Sequence, residues 1–133
     1  MLPNSKGYML KIGSFAFPTD LIKRDTYVAA PAQRQSNGDY TDADGVVHTN
    51  SLPHTRTKIE FYTVPMRAFQ MRELMDRITE QYTDGLDKRV TLEYYEEEYG
   101  NYVSGDFYMS STQEYKYLDI NTYDSVRFAF IEL

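Results

Sequence analysis

Arg56-Thr57-Lys58-Ile59-Glu60-Phe61-Tyr62-Thr63 is the stretch on which the fold turns. Thr57, Ile59, Phe61 and Thr63 fall on one side of an extended chain, and Arg56, Lys58, Glu60 and Tyr62 on the other. That period of two belongs to a half-buried strand. Met71, Leu74, Met75, Ile78 and Tyr82 then recur at helical spacing with charged residues between them, the pattern of an amphipathic helix. After Asp84-Gly85 the alternation returns, with Val90, Leu92 and Tyr94 against Arg89, Thr91, Glu93 and Tyr95. Arg56 to Tyr95 thus reads strand, helix, strand. Pro65 suits the helix start, Thr63 is the candidate cap, and Asp84-Gly85 supplies the stop. The pattern predicts one helix over about residues 65–83.

Outward from this unit the chain is mostly strand. Gly7 to Ile12 is a short strand ending at Gly13, and Phe15 and Phe17 extend it until Pro18. Leu21 to Ala30 reads as a weaker, edge-like strand. Residues 31–53 are polar and carry two turn dipeptides, Asn37-Gly38 and Asp44-Gly45, so they predict a long protruding hairpin or loop. Glu96 to Asn101 reads as an acidic turn with its carboxylates in water. Tyr102 to Met109 is a strand in which Gly105 marks a bulge or bend. Gln113 to Thr122 is ambiguous between an irregular strand and a loop. Asp124 to Glu132 is the last strand, with Val126, Phe128 and Phe130 on one side, and it places the end of the chain within the sheet. The expected class is α+β, mainly β: an antiparallel β-sandwich or split barrel with one packed helix and a long hairpin, residues 1–133 as a single domain.

Composition narrows the function. The net charge is −6, and Lys and Arg form no cluster, which argues against a nucleic-acid footprint or an anionic membrane surface. No apolar run is long enough to span a bilayer. The first residues lack the apolar core of a signal peptide, so the expectation is synthesis and folding in a cytosol. There is no cysteine, which removes disulfides, thiol nucleophiles and cysteine-based zinc sites. Thirteen tyrosines stand against no tryptophan. Tyrosine suits half-wet strands and surfaces that touch partners.

Candidate chemistry is thin. His48 and His54 are the two histidines, both in the predicted loop, and a zinc site needs three or four ligands. Asp39 to Gly45 has a calcium-loop flavour, but with Gly45 at position six the end positions fall on Tyr40 and Ser51, which are wrong ligands. No Gly-x-Ser-x-Gly elbow and no phosphate-cradling glycine pattern occur. The expectation is no enzyme, no catalytic residues, no metal and no cofactor.

The order of elements carries a resemblance. Arg56-Thr57-Lys58-Ile59-Glu60-Phe61, a helix, Arg89-Val90-Thr91-Leu92-Glu93-Tyr94-Tyr95, Gly105-Asp106-Phe107-Tyr108 and Phe128-Ala129-Phe130-Ile131-Glu132 follow a strand and a long polar hairpin. From about Tyr8 onward this resembles the small structural proteins of long-tailed phages and prophages, including minor tail or baseplate components. It also resembles the tube-type β-sandwich of tail tube and distal tail proteins. The resemblance implies a virion protein made in the host cytoplasm, without catalytic residues. It implies a homohexameric ring around the tail axis, in contact with neighbouring tail or baseplate proteins. It implies no membrane and no sequence-specific nucleic-acid binding, though DNA would pass through the lumen. The hairpin, with Arg34, Asn37, Gly38, Asp39, Tyr40, Asp42, Asp44 and Gly45, is the expected assembly loop. An acidic chain suits a lumen that DNA crosses without sticking. Two other classes stay open. One is a small tyrosine-rich carbohydrate- or peptide-binding module of a receptor-binding apparatus, which a pocket bearing tyrosine rings would favour. The other is a hydrolase or inhibitor, which a concave site with a buried, raised-pKa carboxylate would favour.

Overall fold

A computed structural model of the chain describes residues 2–36, 38, 40–48, 51–110 and 113–133. In chain order it has β1 (Leu10–Ile12), β2 (Phe15–Ala16), a 3-10 turn (Thr19–Leu21), β3 (Val28–Ser36), β4 (Tyr40–Thr41), β5 (Val47–His48) and β6 (Ser51–Tyr62). There follow β7 (Met66–Arg67), α1 (Ala68–Thr79), β8 (Arg89–Glu96), β9 (Asn101–Met109), β10 (Tyr117–Asp119), β11 (Thr122–Tyr123) and β12 (Arg127–Glu132). A seven-stranded sheet runs β2-β1-β8-β9-β12-β6-β3, and β10-β11-β7 forms a three-stranded sheet. Neighbours in both pair antiparallel. The expected class, mainly β with one packed helix, is the one observed.

The alternating residues of the central stretch build the core as their period requires. Thr57, Ile59, Phe61 and Thr63 are buried, and Ile59 and Phe61 pair across the ladder with Phe130 and Phe128 of β12. Phe17 follows β2 at one margin of the sheet, yet its ring meets Phe61 of β6 edge-on at 4.9 Å. The sheet therefore coils around its own apolar face, as twisted sheets do. α1 lays Met71, Leu74 and Ile78 into the same cluster. Each such side chain stabilises by about 1.5–3 kcal/mol when fully buried.

Several local expectations are corrected. The helix occupies 68–79, not 65–83, because Met66 and Arg67 pair with Tyr123 and Thr122 of β11 as a strand. Its start is held by Gln70, whose Oε1 accepts the Arg67 N–H at 3.0 Å. Thr63 is no cap; it is fully buried, and its Oγ1 accepts the Val126 N–H at 3.1 Å. The helix ends before Asp84-Gly85, where the Gln81 N–H turns back to the Ile78 carbonyl at 3.0 Å. Asp84 instead accepts the Leu86 N–H through Oδ1 and bridges to Arg89, which starts β8.

Leu21 to Ala30 is not one strand. It opens in the 3-10 turn and bends again at Asp25, whose φ is 65°. Thr26 fixes that bend, its Oγ1 donating to the Lys23 carbonyl at 2.6 Å and accepting the Tyr62 N–H at 3.1 Å. Gly105 marks no bulge, since β8 and β9 stay in register through Leu92 and Gly105. Its small size matters for another reason. A Cβ there would stand 3.1 Å from Oε2 of Glu132. The other oxygen of that carboxylate accepts the Thr57 N–H at 2.9 Å.

Glu96 is not in water either; it is only 2% exposed. It continues the buried alternation of Val90, Leu92 and Tyr94 along β8, and the N-terminal segment is tied to the opposite face, where Tyr95 pairs with Tyr102. Asn4 Nδ2 donates to the Gly100 carbonyl at 2.8 Å, and the Tyr102 hydroxyl donates to the Tyr8 carbonyl at 2.6 Å. Glu96 Oε1 accepts the Glu98 N–H at 2.7 Å and ties the turn.

Candidate functional site

The long hairpin is built by β3 and β6. Their ladder begins at Val28 with Glu60 and continues to Ser36 with Ser51. On its other side β6 is paired by β12 only as far as Lys58, opposite Ile131. From Thr57 toward the tip the ribbon is therefore two-stranded. A two-stranded ribbon is marginal by itself in water, so its root has to be secured.

Thr57 does this. Its Oγ1 accepts the Ala32 N–H at 3.0 Å, and its N–H goes to the Glu132 carboxylate, which stands in for a strand carbonyl past the end of the β12 pairing. Opposite, β3 shifts register between Ala30 and Gln33, where Ala32 takes a φ of 48°. A bulge of this kind adds bend and twist to the strand that leaves the sheet.

At the tip, β4 and β5 close a smaller hairpin in which Tyr40 faces His48 and Thr41 faces Val47. Asp42 organises it. Its Oδ1 accepts the N–H groups of Asp44 at 2.9 Å and Val46 at 3.0 Å, and its Oδ2 meets His48 Nε2 at 2.8 Å. The His48 contact first, and the backbone N–H of Val46 next, hold the Asp42 carboxyl below its ordinary value. The Tyr40 ring stacks on His48 at 4.8 Å and 11°. Gly45 takes a φ of 80°, which the turn demands and side chains disfavour.

Of the expected assembly residues, the tip thus brings together Tyr40, Asp42, Asp44 and Gly45. Gly38 has a φ of 95°, and Arg34 lies in β3 opposite Thr55. Asn37 and Asp39 lie outside the described residues. The sequence reading missed His48 as the partner of Asp42. The signal was present, since a turn at Asp44-Gly45 puts residues on either side of it face to face. Asp42 spends its carboxylate on the turn and on His48. Among the described residues, no three His, Cys, Asp or Glu gather in a way that could hold a metal ion.

A second feature escaped the sequence reading. Tyr115, Tyr117 and Tyr123 line a groove of about 380 Å³ against the Met71, Arg72, Met75 and Thr79 side of α1. The rings of Tyr117 and Tyr123 lie 4.5 Å apart, with their hydroxyls 3.1 Å apart. The Tyr115 hydroxyl points at the Met75 sulfur at 3.7 Å. The bond to Tyr117 raises the Tyr123 phenol, and burial raises that of Tyr115. The spacing Tyr115-x-Tyr117 hinted at a shared face, but nothing in the sequence placed it beside the helix. Glu97 has a carboxyl raised by partial burial and by the neighbouring Glu96 charge. It nevertheless sits exposed in a turn and does not line this groove.

A family model described as "Family of unknown function (DUF6711)" matches residues 1–133. The chain belongs to that family. No curated protein matches. Among solved structures the chain is similar to one described as "Tail of empty GTA particle computed with helical refinement, C6 symmetry". The TM-score is 0.58 at 17% identity, over 98% of this chain and 93% of that one. At that identity the likeness establishes a shared fold. The mainly β fold with one packed helix expected from the strand order is thus shared with a protein of that tail.

Proposed function

We propose that this protein is a structural component of a phage-like tail, in the tube, the distal tail or a baseplate ring. As a single domain it closes with further copies, six in the simplest case, into a ring around the tail axis. The observation that carries this reading is the fold shared over 98% of the chain with a tail whose symmetry is C6. The ribbon supports it. Beyond Thr57 both edges of β3–β6 lack further strand partners among the described residues, and such edges invite pairing with another chain. The hairpin, with Arg34, Asn37, Gly38, Asp39, Tyr40, Asp42, Asp44 and Gly45, is then the element that crosses to a neighbour. Its other partners are adjoining tail or baseplate proteins, and its place is the virion after synthesis in the host cytoplasm. The net charge of −6 suits a lumen through which DNA slides.

The test removes Gln35 to Asn50 and closes the gap with a short Gly-Ser link. Circular dichroism is expected to show a folded protein, because the core lies outside the deletion. Sizing and electron microscopy are expected to show that rings are lost. Normal assembly of the deleted protein would make the hairpin a passive loop and sink the mechanism.

The tyrosine groove favours a second reading, a carbohydrate- or peptide-binding module in a receptor-binding apparatus. Tyrosine faces with adjacent hydroxyls and Arg72 are the residue types such a site uses. Glycan-array binding abolished by Tyr117→Ala, in a protein that stays monomeric, would replace the ring reading with this one.

A further inference from the structure

Among the large apolar side chains exposed in the described residues, two concentrations stand out. One is the hairpin tip, with Val46 53% and Val47 64% exposed beside Tyr40. The other surrounds the β10–β11 turn, with Ile120 87%, Leu118 59% and Phe69 62% exposed. These last three belong to different elements, and one backbone hydrogen bond joins the start of α1 to the β10–β11 turn. The Ala68 N–H at the start of α1 donates to the Asn121 carbonyl at 2.7 Å, and Phe69 and Ile120 each lie one residue from that bond. Single exposed apolar residues need no explanation, whereas a contiguous patch marks an interaction surface.

Charge distinguishes the two concentrations. The tip carries Asp42 and Asp44. The patch carries Arg67, which is exposed and precedes Ala68; none of the ion pairs among the described residues involves it. Asp119, the carboxylate within the β10–β11 turn, is directed onto its own turn, accepting the Asn121 N–H at 2.8 Å. Asp42 is likewise spent on its own turn and on His48, which leaves Asp44 at the apolar tip to match Arg67 beside the apolar strip.

We propose that the patch formed by Arg67, Phe69, Leu118 and Ile120 receives the hairpin tip of a second copy of this chain. This rests on the ring reading and names the surface that reading lacks. A ring requires a heterologous contact, in which two different patches of one chain fit each other. The tip is one patch and the β10–β11 turn is the other. Val46 and Val47 cover Phe69 and Ile120, and Asp44 faces Arg67. The tip is already closed by Asp42, so little ordering is left to oppose binding.

The chain has no cysteine, so introduced pairs report cleanly. Val47→Cys and Ile120→Cys are made in separately tagged copies, mixed at assembling concentration and oxidised. A disulfide between unlike copies is expected in excess over like pairs, since such a bond forms only where Cβ atoms come within about 4.5 Å. The Phe69→Asp/Ile120→Asp double variant changes exposed residues only. It is expected to keep its circular dichroism and melting temperature and to need about tenfold more protein to assemble. If rings form without the mixed disulfide, and the double variant assembles like the parent, the patch is not the acceptor and the ring reading stands. If rings form normally without residues 35–50, the tip is not the donor. A parent protein that stays monomeric at every concentration overturns both this inference and the ring.

Discussion

Thr63 shows how much one hydroxyl decides. It is fully buried, and its Oγ1 is the acceptor for the Val126 N–H at 3.1 Å, while its own N–H donates to the Val126 carbonyl at 2.9 Å. Thr63→Val keeps the shape and leaves the Val126 N–H without that partner. The loss expected is about 1–3 kcal/mol by urea unfolding, with Thr63→Ser recovering most of it. Equal stability of the valine variant would mean that the N–H finds water.

Glu93 gives a pH dependence at the same scale. The Tyr8 hydroxyl first, and Lys6 Nζ next, hold the Glu93 carboxyl below its ordinary value. Lowering means that the folded state binds the proton less tightly than the unfolded one. The contribution is therefore present above the ordinary glutamate value of about 4.3 and is lost as pH falls through the lowered one. Tyr8 is the reverse case. Burial, with Glu93 adding to it, pushes its phenol up to about 12, so its contribution is present below about 10 and lost as pH rises through about 12. Melting curves of the parent and Glu93→Gln should converge below about pH 4. A gap that stays constant into acid would show that the bond contributes nothing to folding.

At the scale of elements, the buried face of α1 is the sharpest test. Met71, Leu74 and Ile78 share one cluster with the sheet. Leu74→Ala should cost about 2–5 kcal/mol as a core truncation, read from the urea midpoint. A loss under about 0.5 kcal/mol is a surface value and would place that face in solvent. This face was legible because its period is intrinsic to the sequence, as it was for Ile59 with Phe61 and for Val90 with Leu92. The helix limits were not legible, because β11 lies more than fifty residues away and its pairing claims Met66 and Arg67 as strand. Glu96 was misread because the acidic run hid its parity, which continues the buried face of Val90, Leu92 and Tyr94 by one more step. The tip was readable as a turn from Asp44-Gly45, whereas the tyrosine groove depends on tertiary contact between α1 and the β10–β11 hairpin.

For the whole molecule, the proposed ring contact lies apart from the folded core. The seven-stranded sheet and α1 hold the core, and no described residue of the ribbon beyond Thr57 belongs to it. Asp42→Ala should therefore leave the melting temperature of the monomer where it is. It removes the acceptor for the Asp44 and Val46 N–H groups and the partner of His48, so the small β4–β5 hairpin loses its closure. A tip that must be ordered at the moment of contact binds more weakly than one ordered beforehand. The concentration at which rings appear in analytical ultracentrifugation should rise several-fold, and Asp42→Asn, which keeps one acceptor oxygen, should fall between. His48→Ala should act in the same direction but less, because the backbone bonds to Asp42 survive it. If Asp42→Ala lowers the melting temperature and leaves the assembly threshold unchanged, the tip belongs to the folding unit, and the ring is held by some other part of the surface.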